Sequence, residues 1–121
     1  MCCDTPAAPD MVVATGSWGG VGIRLDVTAQ GATTEYDCAH GTIDQPLVTD
    51  RAGRFSAAGT HVREHGGPIR VDEPPDRHPA RYDGTLAGTT IHFTVAMLDT
   101  QQVIGPFDAI RDVAGRIVKC L

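Results

Sequence analysis

The chain has few aromatic side chains and no long apolar segment. It contains three Phe, two Tyr and one Trp among 121 residues, which is few for an aromatic-lined cofactor pocket, and we expect no cofactor. No apolar run approaches the roughly 18–20 residues of a transmembrane helix. Basic residues are also scarce, with 10 Lys and Arg against 15 Asp and Glu. The sequence therefore lacks the basic excess or stripe of a nucleic-acid-binding protein.

The composition fits one small domain with many turns. Hydrophobic residues make up 41% of the chain, enough for one core and too few for two. Fourteen Gly and eight Pro indicate frequent changes of chain direction. Residues 1–11 carry Pro6 and Pro9 and show no periodicity. We predict a flexible N-terminal tether over residues 1–11 and a single domain over residues 12–121.

Period-two alternation of apolar and polar residues dominates the sequence. It is clearest in two segments, Val21, Ile23, Leu25, Val27 and Ile91, Phe93, Val95, Met97. Strand signals recur every eight to twelve residues, with Gly, Asp or Pro between them. At this length, closure removes the exposed sheet edges. We predict an all-β, antiparallel up-and-down barrel of seven or eight strands.

An internal repeat predicts two tight turns. Residues 50–55 and 112–117 both read Asp-x-Ala-Gly-Arg-apolar, which is typical of a hairpin connection. The repeat predicts a last strand over residues 116–120 and argues against a helix through Phe107, Ile110 and Val113, which remains an alternative. Residues 72–79 hold three prolines, and we predict an exposed loop there.

Gly16-Ser17-Trp18, at the start of the first long strand, resembles the Gly-x-Trp pattern that opens lipocalins and other calycin-like barrels. The resemblance implies a lipocalin-like barrel in which Trp18 closes one end. It also implies that a late-strand arginine packs across the indole, contributing about 1 kcal/mol. Arg116 is the better placed residue and Arg111 the other choice. The alternative is that Trp18 is an ordinary core aromatic residue without an arginine partner.

One predicted strand places polar side chains inside the barrel. If the face of residues 55, 57 and 59 is internal, His61 and Arg63 point inward as well. Buried charged groups must be paired or solvated, so these side chains either anchor an acidic ligand group or form an internal salt bridge with Glu35 or Asp37. The candidate ligand-binding residues are Tyr36, His40, His61, Arg63 and His65.

The sequence offers residues for two kinds of reactive site, and we expect neither to form. Cys38 and His40 would share a strand face, as in a nucleophile–base pair, but no third group or oxyanion motif accompanies them. A metal site would need Cys38, His40, His61 and His65, which show no recognised ligand spacing. In a strand, His61 and His65 lie about 13 Å apart, too far to share one ion. We assign no catalytic and no metal-ligating residue.

The leading hypothesis is a non-enzymatic exported module that binds a small ligand or an envelope protein. A binding barrel should hold an apolar cavity with one or two polar anchors. The alternative is a small barrel enzyme that uses His40, Arg63 and His65. Export is suggested by Cys2 and Cys3, because the segment after them reads like the start of a mature bacterial lipoprotein. Such a lipid anchor would be the only membrane attachment. The alternative is a cytoplasmic protein.

The remaining cysteines are far apart in the chain. Cys38 and Cys120 lie in strand-like stretches and could close a loop of about eighty residues. A disulfide across such a loop would stabilise the fold by about 3–5 kcal/mol, and exported small barrels commonly carry one. The alternative is two separate buried thiols.

We expect mass spectrometry of the native protein to find an acyl group on Cys2 or Cys3.

A thiol reagent should label Cys38 and Cys120 only after reduction. Replacing Cys120 with Ser should then lower the melting temperature markedly, because the unfolded chain loses its cross-link. Two reactive thiols before reduction, or an unchanged melting temperature, would reject the disulfide.

Overall fold

The regular structure of this protein consists of β-strands. The computed structural model describes residues 11–64 and 74–119, and within them no helix could span a membrane. The strands are β1 (Met11–Val12), β2 (Gly16–Gly20), β3 (Ile23–Thr28), β4 (Gly31–Tyr36), β5 (Ala39–Ile43), β6 (Val48–Thr49), β7 (Arg54–Arg63), β8 (Asp76–Ala87), β9 (Thr90–Met97) and β10 (Val103–Arg111).

Eight of these strands form a closed barrel. Their order around the barrel is β10-β2-β3-β4-β5-β7-β8-β9, and each neighbouring pair is antiparallel. The contact that closes the barrel is short, since β10 and β2 are paired only at Ile110 with Gly19 and at Arg111 with Trp18. The predicted all-β, antiparallel up-and-down barrel is confirmed.

Side-chain alternation determines which residues fill the barrel. In β9, Ile91, Phe93 and Val95 are at most 2% exposed, whereas His92 between them faces solvent. The same period of two runs through β3, where the apolar residues are buried and Arg24 is exposed. Burying a large aliphatic or aromatic side chain stabilises a fold by about 1.5–3 kcal/mol, so this inner face is the main source of stability.

Small residues let the wall approach the interior closely at the middle of β7. A Cβ atom on Gly59 would lie 2.0 Å from the carbonyl oxygen of Thr42 and 2.9 Å from Cε1 of Tyr82. Gly59 and Thr42 lie on the neighbouring strands β7 and β5. The space that glycine leaves is therefore already filled by the opposite backbone and by the Tyr82 ring.

One end of the barrel is closed by a short two-stranded sheet. β1 and β6 pair there, outside the barrel wall. Val13 and Leu47, next to these strands, are completely buried and join the core around Trp18. The indole Nε1 of Trp18 donates a hydrogen bond to the carbonyl oxygen of Ala14 at 3.1 Å. Trp18 is therefore a core residue at the closed end.

The predicted packing of Arg116 on Trp18 is wrong. Arg116 is exposed, and its backbone forms hydrogen bonds with Gly20 and Gly22 at the turn between β2 and β3. The turn between β2 and β3 lies at the end of the barrel opposite the closing sheet, whereas Trp18 packs on the side of the closing sheet. In the part of the chain that the structure describes, no arginine stacks on the indole.

The C-terminal segment differs from the predicted last strand. Arg116 forms only an isolated parallel bridge with Val21, and β10 is the last strand of the barrel. The helix considered through Phe107 is also wrong, because residues 103–111 are extended. The first copy of the repeat does form its turn, in which Asp50 Oδ1 accepts the N–H groups of Ala52 and Arg54. The second copy is not followed by a strand.

Two further elements differ from prediction. The first long strand is interrupted at Gly22, whose φ of +73° allows a turn between β2 and β3. Part of the predicted loop over residues 72–79 is strand, because β8 begins at Asp76 and includes Pro79 opposite Thr60. Several predictions fall outside the described residues, namely those on Cys2, Cys3, His65 and Cys120. Met11 belongs to the predicted tether, but in the structure it lies in β1 and pairs with Thr49 of β6.

We expect Gly59→Ala to destabilise the barrel by about 1–3 kcal/mol, the usual cost of overpacking a tight site. The added methyl group meets a backbone carbonyl, which cannot rotate away as a side chain can. Urea unfolding monitored by circular dichroism measures the change. Ala58→Ser is the matched control, since Ala58 is the exposed neighbour on the same strand. Equal stability of the two variants would show that the wall can expand at Gly59.

Candidate functional site

A cavity of about 450 Å³ lies at the end of the barrel opposite the closing sheet. The turns between β2 and β3, between β4 and β5, and between β9 and β10 surround its mouth. The lining residues are Val21, Gly22, Tyr36, Asp37, Cys38, Ala39, His61, Arg63, Met97, Gln102, Ile104, Pro106 and Phe107. The two ends of the barrel therefore differ, because one is filled by core side chains and the other is open.

Aromatic rings form one wall of the cavity. The Tyr36 ring lies 5.0 Å from the Phe107 ring and 5.2 Å from the His61 ring, measured between centroids. Phe107 in turn contacts Phe93, with centroids 5.5 Å apart. These separations are in the range of favourable aromatic pairs. The rings therefore join the cavity wall to the filled part of the core.

One buried polar atom in this wall, Nδ1 of His61, lacks a hydrogen-bond partner among the described residues. His61 and Tyr36 are only 2% and 4% exposed. The Tyr36 hydroxyl lies within side-chain hydrogen-bonding reach of Thr34 and Tyr82, and the Tyr82 hydroxyl donates to the carbonyl oxygen of Thr60 at 2.6 Å. An unsatisfied buried polar group costs about 1–3 kcal/mol, so Nδ1 of His61 calls for an explanation.

His61 differs from the other described histidines in having no acidic partner. The pairs are His40 with Glu64 at 2.6 Å, His78 with Asp99 at 2.8 Å, and His92 with Asp108 at 2.5 Å. His40 and His92 are exposed on the outer face, whereas His78 lies directly opposite His61 on β8 and its side chain is 13% exposed. His61 is the described histidine that combines burial with a position on the cavity wall.

The environment of the cavity keeps both anchors neutral. Burial lowers the pKa of His61, and the nearby His78, Arg63 and His40 lower it further, whereas Asp76 acts in the opposite direction. Burial also holds the pKa of the Tyr36 hydroxyl well above its ordinary value. At neutral pH the cavity therefore offers an uncharged imidazole and an uncharged phenol, both able to donate and accept hydrogen bonds.

Charged groups occur at the mouth. The Arg63 side chain is half-exposed, and its Nε lies 4.0 Å from a carboxylate oxygen of Asp76. Asp37 Oδ1 accepts the backbone N–H of Val118 at 3.0 Å. On the outside, Lys119 Nζ donates to Glu35 at 2.7 Å and to Glu64 at 3.1 Å. These contacts attach the C-terminal segment beside the mouth.

The structure brings three of the five predicted ligand-binding residues together. Tyr36, His61 and Arg63 line the same cavity. His65 lies outside the described residues. Cys38 also lines the cavity and its thiol is not free, while the predicted pairing with Cys120 stays a prediction.

The fifth residue, His40, lies on the outer surface, and its predicted place with Tyr36 is corrected. The sequence interpretation placed Cys38 and His40 on the same face of a strand. The chain instead reverses at Asp37 and Cys38, which pairs Tyr36 directly with Ala39. Directly paired residues share a sheet face, so Ala39 points inward and His40 points outward. A cysteine–histidine pair or a shared metal site with His61 is therefore not formed by His40.

The described residues do not form a metal site. Across residues 11–64 and 74–119, no group of three or more His, Cys, Asp or Glu side chains could hold a metal ion.

Sequence reasoning missed Phe107, because a register shift between Ile104 and Phe107 changes the phase of alternation in β10. The neighbouring Gly105-Pro106 pair was the available signal, since Gly and Pro inside a strand often mark such an irregularity.

Comparisons of the chain with protein-family models, with curated proteins and with solved structures found no match.

We expect the stability of the native protein to fall as the pH drops below about 6.5, the ordinary histidine value, in a way that depends on His61. Because the folded state lowers the pKa of His61, the unfolded chain binds more protons over this range, and acid favours unfolding. His61→Phe should remove this contribution. Urea unfolding of both proteins at pH 7.5 and at pH 5 measures the difference.

Other titrating groups largely cancel in that comparison, since both proteins contain them. His78 is the chief example: its Asp99 partner raises its pKa, so its contribution has the opposite sign. Identical losses of stability in wild type and His61→Phe would contradict the assigned burial of a neutral imidazole.

Proposed function

We propose that this protein is a non-enzymatic binding barrel that holds a small, mainly apolar molecule in the open-end cavity. The observation that carries the proposal is the open cavity, whose wall combines apolar side chains with His61, a buried histidine whose Nδ1 has no hydrogen-bond partner among the described residues. A polar ligand group that reaches this imidazole would recover part of the cost of its burial. A lipocalin-like mode of binding, in the open end of a closed barrel, belongs to this proposal.

The dimensions of the cavity support a small molecule. Ligand pockets usually measure about 300–1,000 Å³ and combine apolar walls with a few polar groups. The cavity of about 450 Å³ lies in this range. Phe107, Ile104 and Met97 supply apolar surface, and His61 with Tyr36 supplies the polar anchors. A protein docked on the rim would leave Nδ1 of His61 without a partner.

The enzyme alternative receives less support from the same geometry. It required His40, which faces away from the cavity and pairs with Glu64. His61 has no carboxylate partner to orient it as a general base. The proposed binding role needs only hydrogen bonding from the neutral side chains. Export through a lipidated Cys2 or Cys3 stays a separate proposal, for which the mass measurement above is the test.

N-phenyl-1-naphthylamine is a suitable probe, because it is small, neutral and apolar, and it fluoresces more strongly in apolar surroundings. We expect the native protein to bind it with micromolar affinity. Gln102→Trp should weaken binding by about tenfold or more, since Gln102 lines the mouth, is exposed, and can be enlarged without disturbing the core.

The matched control for this variant is Val103→Trp. Val103 is the next residue, is 61% exposed and does not line the cavity. Val103→Trp places the same new indole ring outside the mouth, so the affinity of this variant for the probe should equal that of wild type. Absence of probe binding, or equal weakening by both variants, would refute the proposed binding site.

A further inference from the structure

The charges around the cavity are unevenly distributed. The described groups that act electrostatically on His61 are three basic side chains, Arg63, His78 and His40, and one carboxylate, Asp76. Arginine is always charged, and the two histidines add positive charge whenever they are protonated. Among the described groups that act on His61, basic side chains therefore outnumber carboxylates three to one, although the whole chain carries a net charge of −5.

Arg63 retains unused hydrogen-bonding capacity. Among the described residues, its ion-pair partner is Asp76, with 4.0 Å between Arg63 Nε and Asp76 Oδ2, whereas Arg81 Nε on the outer face lies 2.7 Å from Asp83. A guanidinium group has five N–H donors in a planar fork that matches an oxyanion. Because Arg63 lies two residues beyond His61 on the same strand face, it can meet a group that extends from the deep anchors toward the mouth.

The carboxylate of Asp37, which also lines the mouth, is committed elsewhere. Its Oδ1 accepts the backbone N–H of Val118, and no ion pair joins it to Arg63 among the described residues. Asp37 therefore does not neutralise Arg63 directly. An anionic group held on the Arg63 side of the mouth would gain an ion pair without displacing an existing close one.

We infer that the cavity selects small apolar molecules that carry one anionic group, with the apolar body against Phe107 and Tyr36 and the anion bound by Arg63. This inference rests on the proposed binding function and specifies its ligand class. The anionic group can be a carboxylate or a sulfonate, since both present oxygens that accept the guanidinium donors. Polar atoms of the ligand near the anion also come within reach of His61.

Two probes that differ by one group test the charge preference. 8-Anilinonaphthalene-1-sulfonate has the same fused and single rings as N-phenyl-1-naphthylamine and adds a sulfonate. With the full chain at pH 7, we expect the sulfonate probe to bind about tenfold more tightly than the neutral one. Arg63→Gln should weaken binding of the sulfonate probe by about tenfold, and by a clearly larger factor than binding of the neutral probe, since a charge-assisted hydrogen bond contributes at least tenfold.

Arg81→Gln is the matched control, because it removes the same charge from an exposed arginine on the outer face. It should leave both affinities unchanged. Equal effects of the two arginine substitutions, or tighter binding of the neutral probe by wild type, would overturn the charge preference while leaving the binding function intact. Sulfonate binding that survives Gln102→Trp would place this probe on the outer surface and would also overturn the inference.

Discussion

The alternation of side chains along one strand is the constraint on which the rest of this structure depends. In a closed barrel every inward position must either fill the interior or line a space. Strand β7 carries one inward face from Phe55 through Gly59 to His61 and Arg63. The same face therefore passes from the filled core to a polar mouth, where Arg63 lies near Asp76. A strand cannot rotate one of these residues outward without exposing the apolar ones.

The asymmetry between the two ends follows from what covers each of them. At one end, Val13 and Leu47 add buried apolar surface around Trp18, and a two-stranded sheet holds them there. At the other end, the hairpin turns leave the interior accessible. Buried apolar surface is thus concentrated away from the cavity, and the free energy from this closed half can offset the cost of the unsatisfied Nδ1 of His61.

Sequence reasoning predicted the parts of the fold that depend on periodicity. The period of two in β9 and in β3 was sufficient for an all-β barrel, and the inward face of β7 followed from Phe55 and Ala57. It failed where a short turn or a bulge reset the phase. The reversal at Asp37 and Cys38 put His40 outside, and the irregularity before Phe107 brought that ring inside. Neither shift changes hydropathy, so periodicity alone could not detect it.

The placement of His61 connects the fold with its proposed use. A hydrophobic residue at position 61 would extend the apolar inner face of β7, as other inward residues of this strand do, without burying an unsatisfied polar group. A neutral imidazole without a hydrogen-bond partner instead lowers the stability of the folded state. A ligand of the proposed kind would offset this cost by forming a hydrogen bond with His61. On that proposal, the stability of the empty barrel and its affinity for a ligand are coupled through one side chain.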